Sequence, residues 1–402
     1  MIDRQGARWR TAHRVRRLTT LAVTALLVVA LAPYLATRFY RFGDATPFNG
    51  THWFNPYAAL DGPAEHWRKA NFHAHSHAWG GVTDGHHSPA DVTRAYRALG
   101  YDVAALSNYW AAARPMPTDT TTVSVYEHGA SVIKAHRLVF RAPRTFWFDF
   151  PLWQSVHQQQ TIIDRLRGDG AIVALAHPAL RNAVRPADAA RLSGYALFEV
   201  LNHFVTSDTA WDAALTAGRP VWLLANDDSH NVDGAGETGV AWTMLHAASL
   251  HADSVLAALT SGRAYGVRGH AGRSDLALER VLVRDDSLVI VHRGAAAHVR
   301  VIADSGRLVA AQRSTGTIVV ALPPWAHYAR VVLASETSAL WLNPVVRWDG
   351  RALPLVLTTV DGRRTAAFRA LAAIVVAAWL LGRRAGAARA PRPVPVTDRV
   401  GV

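Results

Sequence analysis

Two pairs of residues are best suited to chemistry in this chain. His73 and His75 stand two apart in NFHAHSH (71–77), and Asp228 and His230 repeat that spacing in VWLLANDDSH (221–230). Between them Glu127 ends TVSVYE (122–127), His136 heads the next apolar run, and His177 follows the apolar run of AIVALAHP (171–178). Imidazole and carboxylate are the donors that divalent transition ions take. The chain has no cysteine, which excludes a thiolate nucleophile, a Cys-type zinc site and a disulfide framework. Any ion must therefore be held by histidine and carboxylate. One H-x-H among 20 histidines is weak evidence. Six or seven donors, each at the edge of a separate apolar run, form a pattern that points to a metal-dependent enzyme.

The elements that position these donors read as short strands alternating with helices. Residues two apart on a strand share a face, so both members of each pair can reach one ion. Helices are expected over 90–99, introduced by Ser88-Pro89, and over 155–167, 186–192, 207–217 and 251–260. Strands are expected over 71–75, 102–107, 122–127, 137–140, 171–176, 195–200 and 221–225. Donors at strand ends place the site at one end of an α/β barrel. After residue 275 the pattern becomes alternating segments with turns at Asp285-Asp286 and Pro323-Pro324, which predicts a small antiparallel β domain over 276–350.

The formal net charge is +13, of which residues 1–17 carry +5 and residues 383–402 carry +4, leaving +4 for the rest. A nucleic-acid partner is not expected from so small a residual charge. Arginine clusters beside apolar segments fit membrane topology instead. Residues 18–37 are uncharged and long enough to span a bilayer, and the basic tail 1–17 predicts a cytoplasmic N-terminus. A cleaved signal peptide competes with this anchor, but Pro33-Tyr34-Leu35 offers no small-x-small cleavage site. A second apolar stretch, 366–382, is read as a span or an interfacial helix, followed by a basic, disordered tail over 383–402. The body would then lie outside the cytoplasm, on a cytoplasmic (inner) membrane.

The ordered donors resemble the polymerase and histidinol phosphatase (PHP) family of metal-dependent phosphoesterases. The matching residues are His73-Ala74-His75-Ser76, Thr83-Asp84-Gly85, Glu127, His136, His177-Pro178 and Asp228-Ser229-His230. The resemblance covers about 70–267, within an expected domain of 44–270. It implies a distorted β/α barrel. It implies one ion on His73, His75, Glu127 and Asp228 and a second on Glu127, His136 and His177. A third would need His230 and a residue near Asp84. The chain departs from the family at Asn71, which stands for a leading Asp, and at Ser107-Asn108-Tyr109, which stands for Thr-Asp-His and removes a ligand. His77, His86 and His87 are the candidates to compensate.

The implied cofactors are two or three divalent ions, Mn, Zn or Fe. Two ions about 3.5–4 Å apart can share a hydroxide and clamp a phosphoryl group. Asp228 and His230 are the candidates for proton transfer or for orienting the nucleophile. The implied substrate is a small phosphorylated molecule. Hydrolysis of C–N or C–O bonds by the same centre, and a non-catalytic PHP module used in envelope assembly, are the alternatives. Glu199 is read as a support for the ligands rather than a ligand. Asp228 is preferred to Asp227 because it shares a face with His230. Trp79 and Trp110 are candidates to line a cleft, and His128 is expected to face away.

Overall fold

The computed structural model describes residues 4–58, 67–81, 85–112, 123–234, 236–354, 356 and 358–388. Helix α1 (Arg4–Leu31) leads through short strands β1 (Tyr40–Arg41) and β2 (His52–Phe54) to β3 (Trp67–Asn71). An alternating run follows, through α2 (Pro89–Ala98), β4 (Val103–Ala104), β5 (Val125–His128), β6 (Arg137–Phe140), α3 (Val156–Gly168) and β7 (Ile172–Leu175). It continues with α4 (Pro186–Ala189), β8 (Leu197–Leu201), α5 (Asp208–Thr216), β9 (Trp222–Ala225), β10 (Ala241–His246), α6 (Ala252–Thr260) and β11 (Ala264–Arg268). The later strands are β12 (Leu276–Arg284), β13 (Ser287–Gly294), β14 (Ala297–Ala303), β15 (Arg307–Ser314), β16 (Thr317–Ala321), β17 (Tyr328–Ala334), β18 (Ala339–Leu342) and β19 (Val345–Trp348). Strand β20 (Thr359–Val360) and helix α7 (Gly362–Ala388) close the chain.

Local chemistry accounts for the helix starts. Ser88 Oγ accepts from the Asp91 N–H at 3.2 Å and Pro89 takes the first helical position of α2. Ser155 and Gln158 form a reciprocal capping box on α3. Burial explains the two kinds of strand. Every residue of β8 and β9 is buried, as suits strands covered on both faces, whereas β13 alternates along most of its length.

Strands β5-β6-β7-β8-β9 form one sheet, antiparallel at β5–β6 and β6–β7 and parallel at β7–β8 and β8–β9. A ten-stranded sheet runs β15-β14-β17-β18-β11-β10-β3-β4, with β19 paired to β17 and β2 to β19. A three-stranded sheet, β12-β13-β16, contributes Leu278, Ile290 and Ile318 to a core shared with Val299, Val331 and Leu333 of the large sheet.

The described strands form no closed barrel, which corrects the expected architecture. Two isolated parallel bridges, Ala74 with Ser229 and Tyr109 with Glu127, connect the two larger sheets instead. Strand β3 has β10 on one edge and β4 on the other, so β9 meets only the residues at and beyond its end. Asn226 Oδ1 accepts the Phe72 N–H and Asn71 Oδ1 accepts the Asp227 N–H, both at 2.8 Å. The β segment beyond 276 also lacks a sheet boundary of its own, because β18 pairs with β11 from Tyr265–Leu342 to Arg268–Ala339. Strands β10 and β11, which carry this continuity, were not expected from the sequence.

The chain divides into two units, Arg41–Thr359 and the terminal segments Met1–Tyr40 with Val360–Val402. In the terminal unit two helical stretches are long and apolar enough to cross a membrane, Arg14–Ala36 and Gly362–Gly382. Phe39 joins them: its ring meets Phe368 edge-on at 5.4 Å, its N–H donates to Thr365 Oγ1 at 3.0 Å, and its carbonyl accepts from the Asp361 N–H at 2.8 Å. Helix α7 extends to Ala388, into the segment expected to be a disordered tail.

Candidate metal centre

Strand ends bring the donors together. β3 stops at Asn71, short of His73 and His75, which lie on either side of the Ala74 bridge. Glu127 sits on β5, and His136 immediately precedes β6. His177 lies two residues beyond β7, and Asp228 three beyond β9. The last two adopt left-handed backbone, with φ of 29° at His177 and 56° at Asp228. Such conformations cost about 1–3 kcal/mol each at a non-glycine residue and persist where the surroundings hold them. Here the His177 N–H donates to Glu199 Oε2 and the Asp228 N–H to the His73 carbonyl, both at 2.8 Å.

Glu127 is the centre of the arrangement. Its Oε2 lies 3.3 Å from His73 Nε2 and 3.2 Å from His75 Nε2, while its Oε1 lies 2.6 Å from His136 Nδ1 and 3.2 Å from His177 Nε2. Asp228 Oδ1 joins the first pair, 3.1 Å from His73 Nε2 and 3.2 Å from His75 Nε2. The potential donor groups are thus His73, His75, Glu127, Asp228 and, sharing the glutamate, Glu127, His136, His177. All six side chains are buried.

Glu199 could complete a third grouping with His73 and His177. Its oxygens are already engaged. Oε1 meets His73 Nδ1 at 3.0 Å and accepts from Asn226 Nδ2 at 2.8 Å, and Oε2 takes the His177 N–H. It orients two histidines, as a carboxylate behind a ligating imidazole does. His230 stands at the rim. Its ring stacks on His75 at 4.2 Å, its Nδ1 is 4.0 Å from Asp228 Oδ1, and its side chain is 33% exposed. Asp84 lies outside the described residues. Among the substitute histidines, His87 turns to Asn231, with Nε2 2.9 Å from Oδ1.

Ser107, Asn108 and Tyr109 have their own roles. Asn108 Oδ1 accepts the Ser76 N–H and its Nδ2 donates to Ser76 Oγ, both at 2.8 Å. The Tyr109 ring stacks on His75 at 5.0 Å and meets His136 edge-on at 5.3 Å. An aromatic wall therefore stands beside the histidines where the sequence resemblance calls for another imidazole. Asp227 does not face the cluster: its oxygens accept the N–H groups of Gly239, Val240 and Ala241 at 2.8, 2.8 and 2.9 Å.

The electrostatics fit cations. Burial disfavours the charged forms, yet His136 and His73 beside Glu127, with hydrogen bonds from His136 and His177, hold that carboxyl well below its usual range. Asp228 is held low against burial by His73, His75 and His177. Burial opposes protonation of His73, but Asp228, Glu199 and Glu127 prevail and raise it well above 6.5. His177 is raised likewise, with burial opposed by its hydrogen bond to Glu127 and by Asp228. Burial lowers His136, and burial together with His75 lowers His230. His73 Nε2, Glu127 Oε2 and Asp228 Oδ1 converge with no hydrogen bond among the described residues. Buried polar atoms left in this way are costly unless a ligand takes them. Glu127 and Asp228, both held toward the ionised form among buried imidazoles, make a donor set that suits divalent ions.

Gly129 makes room for His136. A Cβ there would sit 2.7 Å from His136 Cδ2 and 3.0 Å from the Ala135 carbonyl oxygen, at a φ of 135°. Gly129→Ala is expected to push His136 off Glu127 and to weaken ion binding at the Glu127, His136, His177 group by at least about tenfold, within the range seen when a ligand's support is lost. Metal titration of the purified variant checks this; unchanged affinity for both ions would contradict it.

No protein-family model matches the chain, and no curated protein matches it. A solved structure from Bacteroides vulgatus, of a two-domain protein containing a predicted PHP-like metal-dependent phosphoesterase, is similar over 80% of this chain and 98% of its own, at 13% identity and a TM-score of 0.39.

Proposed function

We propose that this chain is a PHP-type metal-dependent phosphoesterase with a two-ion centre, held at a membrane by its terminal helices with the body outside the cytoplasm. The observation that carries the reading is the single Glu127 carboxylate turned with one oxygen toward His73 and His75 and the other toward His136 and His177. A carboxylate so placed suits a bridge between two ions. Two divalent ions held there, Mn, Zn or Fe by donor type, would supply Lewis acidity and an attacking water of lowered pKa. Asp228 completes the first donor set, and Glu199 keeps His73 and His177 in orientation. His230, partly exposed beside His75, would orient the attacking water or pass a proton to the leaving oxygen of a phosphoester, the latter from its protonated fraction, which burial and His75 reduce. Tyr109 in place of a further imidazole favours two ions over three. The arginines in the first half of α1, ahead of its apolar stretch, support a cytoplasmic N-terminus.

Metal titration of the full-length protein in detergent, after chelation, tests the reading. At least two Mn or Zn ions per chain are expected, with phosphoester hydrolysis following ion content. Carboxylates around them shift His73 and His177 toward the protonated form in the ion-free protein. Ions must displace those protons, so affinity rises with pH, by up to about tenfold per unit for each proton released. A folded protein that takes up no ion would overturn the proposal and leave a binding module.

A further inference from the structure

A cavity of about 400 Å³ opens beside the donors, lined in part by Tyr109, Trp110, Ser131, Lys134, His136 and Arg181. Its volume falls in the range of small-molecule sites, about 300–1,000 Å³. His136, a donor of the candidate centre, forms part of its wall. Two cations flank it and no acidic side chain lines it among the described residues. Lys134 Nζ lies 6.0 Å from the Tyr109 ring centroid, and Arg181 Nη1 donates to the Val132 carbonyl at 2.8 Å, which ties the guanidinium to the loop bearing Lys134. Trp110, Lys134 and Arg181 all hold left-handed backbone, with φ of 49°, 59° and 52°. Three unrelated loop residues are thus bent to one cavity.

We propose that this cavity is the leaving-group subsite and that it selects phosphoesters whose leaving group carries a ring and a second negative charge. The inference rests on the phosphoesterase reading above. With the phosphoryl group at the Glu127 cluster, the ester oxygen points past His136, the flat part of the leaving group lies along Tyr109 and Trp110, and its anion meets Lys134 and Arg181. Hydrolysis breaks the P–O bond to that group, the water oxygen ends on phosphorus, and the leaving oxygen takes up a proton. A cationic pair can pair with a carboxylate or a phosphate alike, and guanidinium does so with fixed geometry.

The test compares phenyl phosphate with 4-carboxyphenyl phosphate, using the full-length, metal-loaded protein. The wild type is expected to favour the carboxylated ester at least tenfold in kcat/KM, chiefly through KM. In Lys134→Gln and in Arg181→Gln the ratio of the two values should fall toward one. A wild type without the preference, or variants that keep it, would overturn the subsite. A parallel loss on both esters with the ratio unchanged would place the two cations on the transferred phosphoryl group instead, and would equally overturn it. If the wild type cleaves neither ester, the phosphoesterase reading fails on its own, and calorimetry with benzylphosphonate and 4-carboxybenzylphosphonate then decides the subsite. Tighter binding of the carboxylated ligand, lost in both variants, supports it; equal affinities overturn it.

Discussion

Glu127→Gln is expected to cost the protein both ions. Each glutamate oxygen faces a different pair of histidines, at 3.2–3.3 Å on one side and 2.6–3.2 Å on the other. An amide keeps one acceptor and turns an N–H₂ toward the other pair. It also removes the charge that a buried cation needs. Loss of a mere support of a ligand costs about 10–100-fold in metal affinity, so loss of a shared ligand should exceed a hundredfold at both positions and take hydrolysis below detection. Asp228→Asn should weaken chiefly the ion on His73 and His75, because Asp228 Oδ1 lies 3.1–3.2 Å from those two rings while its Oδ2 is 3.8 Å from His177. Elemental analysis with stepwise titration separates the outcomes. Two ions bound to Glu127→Gln with wild-type affinity would remove the glutamate from the centre.

The adjacent aspartate should fail differently. Asp227→Asn is expected to lower stability by about 1–3 kcal/mol, the cost of leaving a buried donor without its acceptor. Its carboxylate collects three successive main-chain N–H groups from Gly239, Val240 and Ala241, at the entry to β10. Burial pushes its pKa up, and those N–H groups pull it back down. An asparagine must oppose its own N–H₂ to at least one of them. Against a total stability of about 5–15 kcal/mol, the loss is large enough to unfold part of the population near 37 °C. Denaturant unfolding monitored by circular dichroism measures it. A variant as stable as the wild type that has lost its ions would show that Asp227 and Asp228 had been assigned each other's tasks.

The contrast between these neighbours marks what could be read in the chain. The donors His73, His75, Glu127, His136, His177 and Asp228 stood out because polar residues at the edges of buried strands have little other reason to be there. The geometry that makes them converge was not legible. The sequence argument placed Asp228 and His230 on one face of an extended strand, whereas β9 ends at Ala225 and Asp228 is left-handed. The two asparagines that hold the β3 and β9 ends together carry no signal in a single sequence, since their partners lie more than 150 residues away. The continuity of the large sheet was hidden for the same reason. β10 and β11 are short segments whose identity as strands depends on partners before and after them. Lys134 and Arg181 are unremarkable in sequence and line one cavity only because two loops approach each other.

The spread of the donors along the chain bears on how the centre is filled. His73 and Asp228 are 155 residues apart, and no single helix or hairpin contains a complete set. An unfolded or half-synthesised chain therefore offers only isolated imidazoles and carboxylates, with weak and unselective affinity. Capture must wait until the segment from β3 to β9 has assembled, so the step is late and cooperative with folding. On the metalloenzyme reading proposed above, the ion acquired would be set by the supply where folding finishes. Refolding the protein in competing mixtures of Mn and Zn would expose that dependence as a composition that follows the refolding medium.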